Sequence, residues 1–387
     1  MENKHLVPPG FKDNLNFDAF VEHEYKNIII NFFRENGFNL LKTPLIEYSN
    51  NLNNNTLKIK TNKKKENLSV RNDITPQIIR VASSRLSKMK RPLKLCYYGE
   101  VIRKNGTILR PERQFQQVGA EIIGSESYLA DVEIINLAYE TLKKIGVKNI
   151  VIEISIPFFL DSIIKKIKNM DLKLKLKKLI KLRDINGCIK LLQNQEQIKT
   201  LKILYSCSGL LKNKKSKLNK LNYISGFEDK VKRLNKITSL IKISKSDSIN
   251  IDFFEIQKNN NYHKGIKFTF FAKNVRGEIA GGGRYVLKYA NNIETAIGYT
   301  CYMDTIIRAS SFNNKNKKIL IPFNTNSKLI NKLVKKGFSI FKSFEANSKL
   351  KEETKKYGFN YFLNNSRDII SLSTIRDRWW ISSLRYC

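Results

Sequence analysis

The stretch Leu93 to Gly124, LKLCYYGEVIRKNGTILRPERQFQQVGAEIIG, leaves the chain little choice of local structure. Leu93, Leu95, Tyr97, Gly99 and Val101 alternate with Lys94, Cys96, Tyr98, Glu100 and Ile102, the period of a strand. A charged loop follows, with Gly106 and Pro111 as turn residues. On the return, Arg113, Phe115, Gln117, Gly119 and Glu121 share one face, and Gln114, Gln116, Val118, Ala120 and Ile122 share the other. On the first face Gln117 and Glu121 flank a glycine. If Gly99 faces the same side, a hollow with a polar floor is predicted. Polar groups facing a core are costly unless satisfied, so a small polar ligand is one reading. The solvated face of an antiparallel sheet is the other.

The 387 residues, 41% of them hydrophobic, suffice for two domains with real cores. Lys+Arg 71 against Asp+Glu 34 gives a net charge of +37. Such a balance points to nucleic acid or another anionic surface. The excess is mostly lysine, however, it accompanies abundant Asn and Ile, and it is spread along the chain. Bias toward A/T-rich codons is the preferred account of that pattern, since no short basic cluster interleaved with aromatics stands out. The five cysteines, Cys96, Cys188, Cys207, Cys301 and Cys387, are scattered, odd in number and without a C-x-x-C, as expected of free thiols in a reducing cytoplasm. His5, His23 and His263 have no metal-ligand spacing, so neither metal nor cofactor is expected. The N-terminus has no apolar core of signal-peptide type, and no segment is long enough to span a membrane.

The loop between the two strands carries Arg103, Lys104, Arg110 and Arg113, and arginine suits planar recognition of carboxylate or phosphate. An arginine entering the loop, followed by RQFQQVGAE, resembles motif 2 of the class II aminoacyl-tRNA synthetases in its histidyl-tRNA synthetase form. The wording LRPERQFQQVGAEIIG is more similar still to the regulatory subunits of ATP phosphoribosyltransferase, a synthetase-like family. Other segments fit the resemblance. A helix predicted from about Asn16 to Asn36, then FNLLKTPLIEY with a strand closed by Pro44, has the layout of motif 1, which builds the synthetase dimer interface. Residues 50–67 read as an exposed polar loop or hairpin. In LSVRNDITPQIIRVASSRL, Leu68 and Val70 suggest a strand, Thr75 a helix cap and Pro76 the first helical residue. Asp73 and Thr75 stand where the synthetases hold the α-amino group of histidine; on the residues alone, Asp73 reads better as a turn residue before a helix.

Residues 127–156 read as a helix and then a strand, and 157–248 as lysine-dense helices without visible chemistry. Strands return at INIDFFEI and GIKFTFFAKN. In the loop between these strands Tyr262 matches a histidine-contacting tyrosine, Lys258 replaces an arginine that activates histidine, Asn261 an aspartate and His263 a second tyrosine. GEIAGGGRYV, read as a glycine run ending a strand, matches a segment whose tyrosine, here Tyr285, contacts histidine. ETAIGYTCYMDTIIR resembles the helix of motif 3, with Asp304 and Thr305 where Glu and an ATP-gripping Arg are expected. The tail from Lys317 reads as strand, helix, strand, helix, strand, similar to a shortened anticodon-binding domain; residues 373–387 have no assignment.

The resemblance implies an α+β fold, a class II synthetase-like antiparallel sheet flanked by helices, with a helical insertion and a short C-terminal α/β segment. The expected domains are 1–156 and 249–312 as two parts of the core, 157–248 as the insertion and 317–387 as the tail. Asp73, Thr75, Gln117, Glu121, Tyr262 and Tyr285 are the implied histidine-binding residues, and Arg103 and Arg113 candidate phosphate or anion contacts. Carboxylate and hydroxyl suit an ammonium; amide, carboxylate and phenol suit imidazole nitrogens. With Lys258 and Thr305 in place of arginines, the fixed cations that adenylate chemistry needs are depleted. The implied function is therefore non-catalytic: regulation of the short-form ATP phosphoribosyltransferase catalytic subunit, with feedback by L-histidine, in a cytoplasmic hetero-oligomer containing a homodimer. No role with tRNA or membrane is implied. The alternative is a working histidyl-tRNA synthetase that retains Arg103 and Arg113.

Overall fold

The computed structural model describes residues 6–52, 55–60, 67–256, 263–273, 275–289, 292–310, 317–345, 349–364 and 366–372. Two units divide the chain, residues 1–312 and 313–387. In chain order the first unit runs α1 (Asn16–Glu35), β1 (Asn39–Leu41), β2 (Ile46–Tyr48), β3 (Leu57–Ile59), β4 (Leu68–Val70), α2 (Thr75–Ser83), β5 (Leu93–Ile102), β6 (Gln114–Ile123), α3 (Tyr128–Lys144) and β7 (Ile150–Ser155). The lysine-dense stretch then forms α4 (Pro157–Lys165), α5 (Met170–Lys181), α6 (Ile185–Leu191), α7 (Gln195–Cys207), the two-residue strand β8 (Gly209–Leu210), α8 (Leu211–Leu218) and α9 (Glu228–Leu240). The unit closes with β9 (Ser248–Asp252), β10 (His263–Ala272), β11 (Ala280–Tyr289), β12 (Asn292–Tyr302) and α10 (Met303–Ala309).

Nine strands form one sheet in the order β1-β5-β6-β12-β11-β10-β7-β9-β8. Every neighbouring pair is antiparallel except β1–β5 and β7–β9. The fold is α+β, with helices packed on the sheet. The alternation in β5 and β6 explains why. Val118, Ala120 and Ile122 face the main core, where they meet Tyr25, Ile29 and Phe33 of α1 and Ile134, Ala138 and Leu142 of α3. Phe159, Leu201 and Leu234 from the helical stretch belong to the same core as Ile152, Phe268 and Phe270 of the sheet. On the other face Leu95, Tyr97, Ile123, Tyr285 and Leu287 pack with Ile74, Ile78 and Ala82 around α2. Each fully buried large apolar side chain contributes roughly 1.5–3 kcal/mol, so sheet and helices stabilise one another. The second unit has its own sheet, β14-β13-β15-β16, from β13 (Lys317–Ile321), α11 (Ser327–Lys335), β14 (Phe338–Lys342), α12 (Leu350–Lys356), β15 (Tyr361–Leu363) and β16 (Ile369–Ser371).

Local readings are corrected in several places. Thr75 begins α2 rather than capping it, and no side chain caps that helix. Its hydroxyl lies instead against Tyr97 and Glu121. ETAIGYTCY is strand β12, and only the last part of that segment is the helix α10. β12 is paired on both edges, and its cavity face carries Gly298 and Thr300 rather than charged side chains, so the alternation with Ile297, Tyr299 and Cys301 is muted. The glycine run lies inside β11, not at its end. β16 adds a strand to the strand, helix, strand, helix, strand pattern that the tail's sequence predicts.

Candidate functional site

Residues opposite one another across a sheet share a face. Thr300 of β12 pairs with Gly119 of β6 and with Gly281 of β11, and Gly281 pairs with Thr269 of β10. One pleat further along, Glu121, Gly298, Gly283 and Lys267 follow in the same order. Two rows of the sheet therefore place glycines between taller polar side chains. Over this floor lies a cavity of about 430 Å³, walled by Asp73, Thr75, Arg103, Gln117, Glu121, Glu278 and Tyr285. Each glycine plays a distinct part. A Cβ on Gly281 would meet nothing nearer than 3.8 Å, so its missing side chain is open floor. A Cβ on Gly298 would collide with the Glu121 carboxylate, which lies across it.

The expected hollow beside Gly99 and Gly119 is filled. The Arg71 guanidinium occupies the space over Gly99, and the Tyr97 ring that over Gly119. Arg71 donates to the carbonyls of Glu100 at 2.7 Å and Thr43 at 2.9 Å and to Gln77 Oε1 at 3.3 Å, which fastens the segment before α2 to the sheet. The open space thus lies further across the sheet, above β12, β11 and β10.

Five expected ligand residues come together in this cavity. Tyr285 Oη donates to Glu121 Oε2 at 2.8 Å, and Thr75 Oγ1 to Glu121 Oε1 at 3.3 Å. The Ile74 amide donates to Gln117 Oε1 at 3.1 Å, and Gln117 in turn hydrogen-bonds to Asp73. Burial, helped by the charge of Asp73, pushes the Glu121 carboxyl up to about 8, while the bonds from Tyr285 and Thr75 oppose the rise. Asp73 is also raised by burial, with the Arg103 charge and the bond to Gln117 pulling it back. Two mutually repelling carboxylates in one cavity favour a ligand with cationic or N–H donor groups. Tyr262, Lys258 and Asn261 lie outside the described residues.

The cations are unequal. Arg103 lines the cavity, its guanidinium 4.8 Å from the Phe115 ring. Arg113 points elsewhere: it donates to the carbonyls of Arg103 and Pro9 and lies over Phe11. Two further cations lie at or beside the cavity, Arg110 of the loop and Lys267, which the sequence does not single out. Arg110 is buried, stacks 3.9 Å from the Tyr302 ring and is neutralised by Asp304 at 3.3 Å and Glu278 at 3.5 Å. Lys267 stands on the cavity floor, paired with Glu255. Its polar alternation with Ile266, Phe268 and Phe270 was the signal that could have exposed it. Thr305 is fully buried, and its hydroxyl donates to the carbonyls of Glu278 and Tyr302. Among the described residues no group of His, Cys, Asp and Glu is placed to hold a metal ion, and no helix is long and apolar enough to cross a membrane.

The histidyl-tRNA synthetase family model matches residues 10–306. An ATP phosphoribosyltransferase regulatory subunit from Rhodospirillum centenum is 30% identical over 331 residues, covering 83% of this chain and 84% of the relative. One from Paramagnetospirillum magneticum is 29% identical over 333 residues, covering 84% and 86%. The chain belongs to the ATP phosphoribosyltransferase regulatory subunit family, on the histidyl-tRNA synthetase fold. Among solved structures, a Bacillus halodurans protein described as an ATP phosphoribosyltransferase regulatory subunit/histidyl-tRNA synthetase matches with TM-score 0.73 and 18% identity over 89% of this chain and 93% of that one. Histidyl-tRNA synthetase from Nostoc matches with TM-score 0.72 and 16% identity over 97% and 99%. These likenesses show the class II synthetase-like fold.

Proposed function

We propose that the chain is the non-catalytic regulatory subunit of an ATP phosphoribosyltransferase, and that its cavity binds L-histidine. Its partner is the short-form catalytic subunit, which joins ATP to phosphoribosyl pyrophosphate, and the two form a cytoplasmic hetero-oligomer built on a homodimer of this chain. Asp73 takes the α-ammonium; Gln117, Glu121 and Tyr285, with Thr75 behind Glu121, take the imidazole; Tyr262 is assigned to the same ligand. By linkage, histidine inhibits only if it binds one state of the complex more tightly than another.

One observation carries this reading. Side chains suited to an ammonium and an imidazole converge on one cavity, while beside it Arg110 is neutralised and Thr305 is closed in by two carbonyls. The test is phosphoribosyl-ATP formation by the catalytic subunit with and without this chain. Activation that histidine then suppresses is expected; no activation with both proteins folded would overturn the reading. Arg103 favours a second reading, histidyl-tRNA synthetase, because its guanidinium lines the cavity and its charge acts on Asp73. Histidine-dependent ATP–pyrophosphate exchange would support that alternative. Against it stands the lack of a comparable free cation at Arg110.

A further inference from the structure

A chain of hydroxyls runs beneath Glu121. Tyr97 Oη lies 2.7 Å from Thr300 Oγ1 and 3.1 Å from Thr75 Oγ1, and Thr75 Oγ1 donates onward to Glu121 Oε1 at 3.3 Å. Each hydroxyl has one proton to give. With the Thr75 proton directed at the carboxylate, its oxygen is free to accept the Tyr97 proton, and the Tyr97 oxygen to accept that of Thr300. All three dipoles then point toward Glu121. Tyr97 is fully buried and does not line the cavity, so it touches no ligand. Its ring fills the space that Gly119 leaves, and its hydroxyl is the only part that serves the pocket.

We propose that Tyr97 is a positioning residue: through Thr75 it holds Glu121 so that Glu121 and the imidazole of a bound ligand share a single proton. This rests on the histidine reading above. The titratable groups that face Glu121 are few. Tyr285 approaches from β11, Tyr97 from β5 and Asp73 from the segment before α2, with Arg103 acting on Asp73. The neighbouring strand β12 presents Gly298 and Thr300, which do not titrate, and Lys267 on β10 is already paired with Glu255. A free imidazole loses its proton near pH ~6.5, whereas burial lets Glu121 of the free protein keep its own up to about 8. Between these limits ligand and site hold one proton together, and they bind without exchanging any with solvent. Below the window one proton must leave, and above it one must be taken up. Affinity for histidine therefore has a plateau with a fall on either side.

Calorimetric titration of the full chain with L-histidine across pH tests this. In the wild type, titrations in two buffers of different ionisation enthalpy count the protons exchanged: close to none at about pH 7, release on the acid side and uptake on the alkaline side. Exchange of about one proton on the plateau would overturn the proposal. Tyr97→Phe keeps the ring over Gly119 and removes only the hydroxyl. It is expected to weaken histidine about 3- to 10-fold on the plateau and to move the alkaline limb upward, because ionised Glu121 loses support. The ligand's own titrations are common to both proteins, so any difference belongs to the site. Thr300→Val, which cuts the far end of the chain, is expected to act in the same direction and more weakly. Coincident profiles for wild type and both variants would overturn the role of Tyr97 while leaving the histidine reading intact. No histidine binding by the wild type at any pH would remove both.

Discussion

Glu121 concentrates the pocket's electrostatics. It is 2% exposed, and burial holds its carboxyl up to about 8 against an ordinary 4.5. A carboxyl raised in this way favours the folded state while protonated. Its contribution is full below the unfolded value and is lost as pH rises toward the folded one. The wild type is expected to lose on the order of a few kcal/mol of unfolding free energy over that window from this group, and Glu121→Gln to flatten the slope. Denaturant unfolding at the two ends of the window checks it, and an unchanged slope would assign the effect elsewhere. In the complex with the catalytic subunit, Glu121→Ala is expected to weaken histidine inhibition by tenfold or more on the scale of a buried charged contact, with less effect on assembly; equal inhibition of both forms sinks that claim. Asp73, Thr75, Gln117, Glu121 and Tyr285 were legible because each sits in a short local motif. Lys267 was not, since it becomes part of the site only through register with Gly283, and neither was the neutralisation of Arg110, since Asp304 and Glu278 are remote in sequence.

The strand pair β5–β6 could be read from alternation alone, because one face packs on a core and the other carries the pocket. β12 could not, for Gly298 and Thr300 on its cavity face contrast only weakly with Ile297, Tyr299 and Cys301 on its core face. Its glycine makes a sharp comparison with that of β11. Gly281→Ala adds a methyl over open floor and is expected to change stability by no more than about 0.5 kcal/mol. Gly298→Ala drives a methyl into the Glu121 carboxylate; a loss of about 1–3 kcal/mol is expected, with much weaker histidine binding. Thermal melting and ligand titration of the two variants together decide whether the two glycines differ as described. Elsewhere, the buried carboxylate of Asp131 in α3 accepts from Arg284 of β11 and Arg233 of α9. Asp131→Asn leaves two guanidiniums without their anion and is expected to cost roughly 3–5 kcal/mol, measurable by denaturant unfolding. Nothing in the local sequence announces that junction, since each arginine lies a hundred residues or more from Asp131.

At the scale of the whole chain, the two units have separate cores. Ile319, Ile321, Leu333 and Leu363 build one that, among the described residues, draws only on the second unit. Leu333→Ala is expected to destabilise the second unit by roughly 2–5 kcal/mol while the first unit binds histidine as before; a matching loss of affinity would show that the units are energetically joined. The sheet order was the least legible feature of the fold, because β6 pairs with β12 across the whole helical stretch. That pairing also sets a timetable. A ribosome that has synthesised residues 1–248 has supplied Asp73, Thr75, Gln117 and Glu121 but neither β11 nor β12, the greater part of the floor. A half-made chain therefore has no complete cavity for a metabolite to fold around. A ligand can add its stabilisation, RT ln(1 + [L]/Kd), only to molecules whose first unit is finished, which makes it a report on finished first units rather than an aid to their growth.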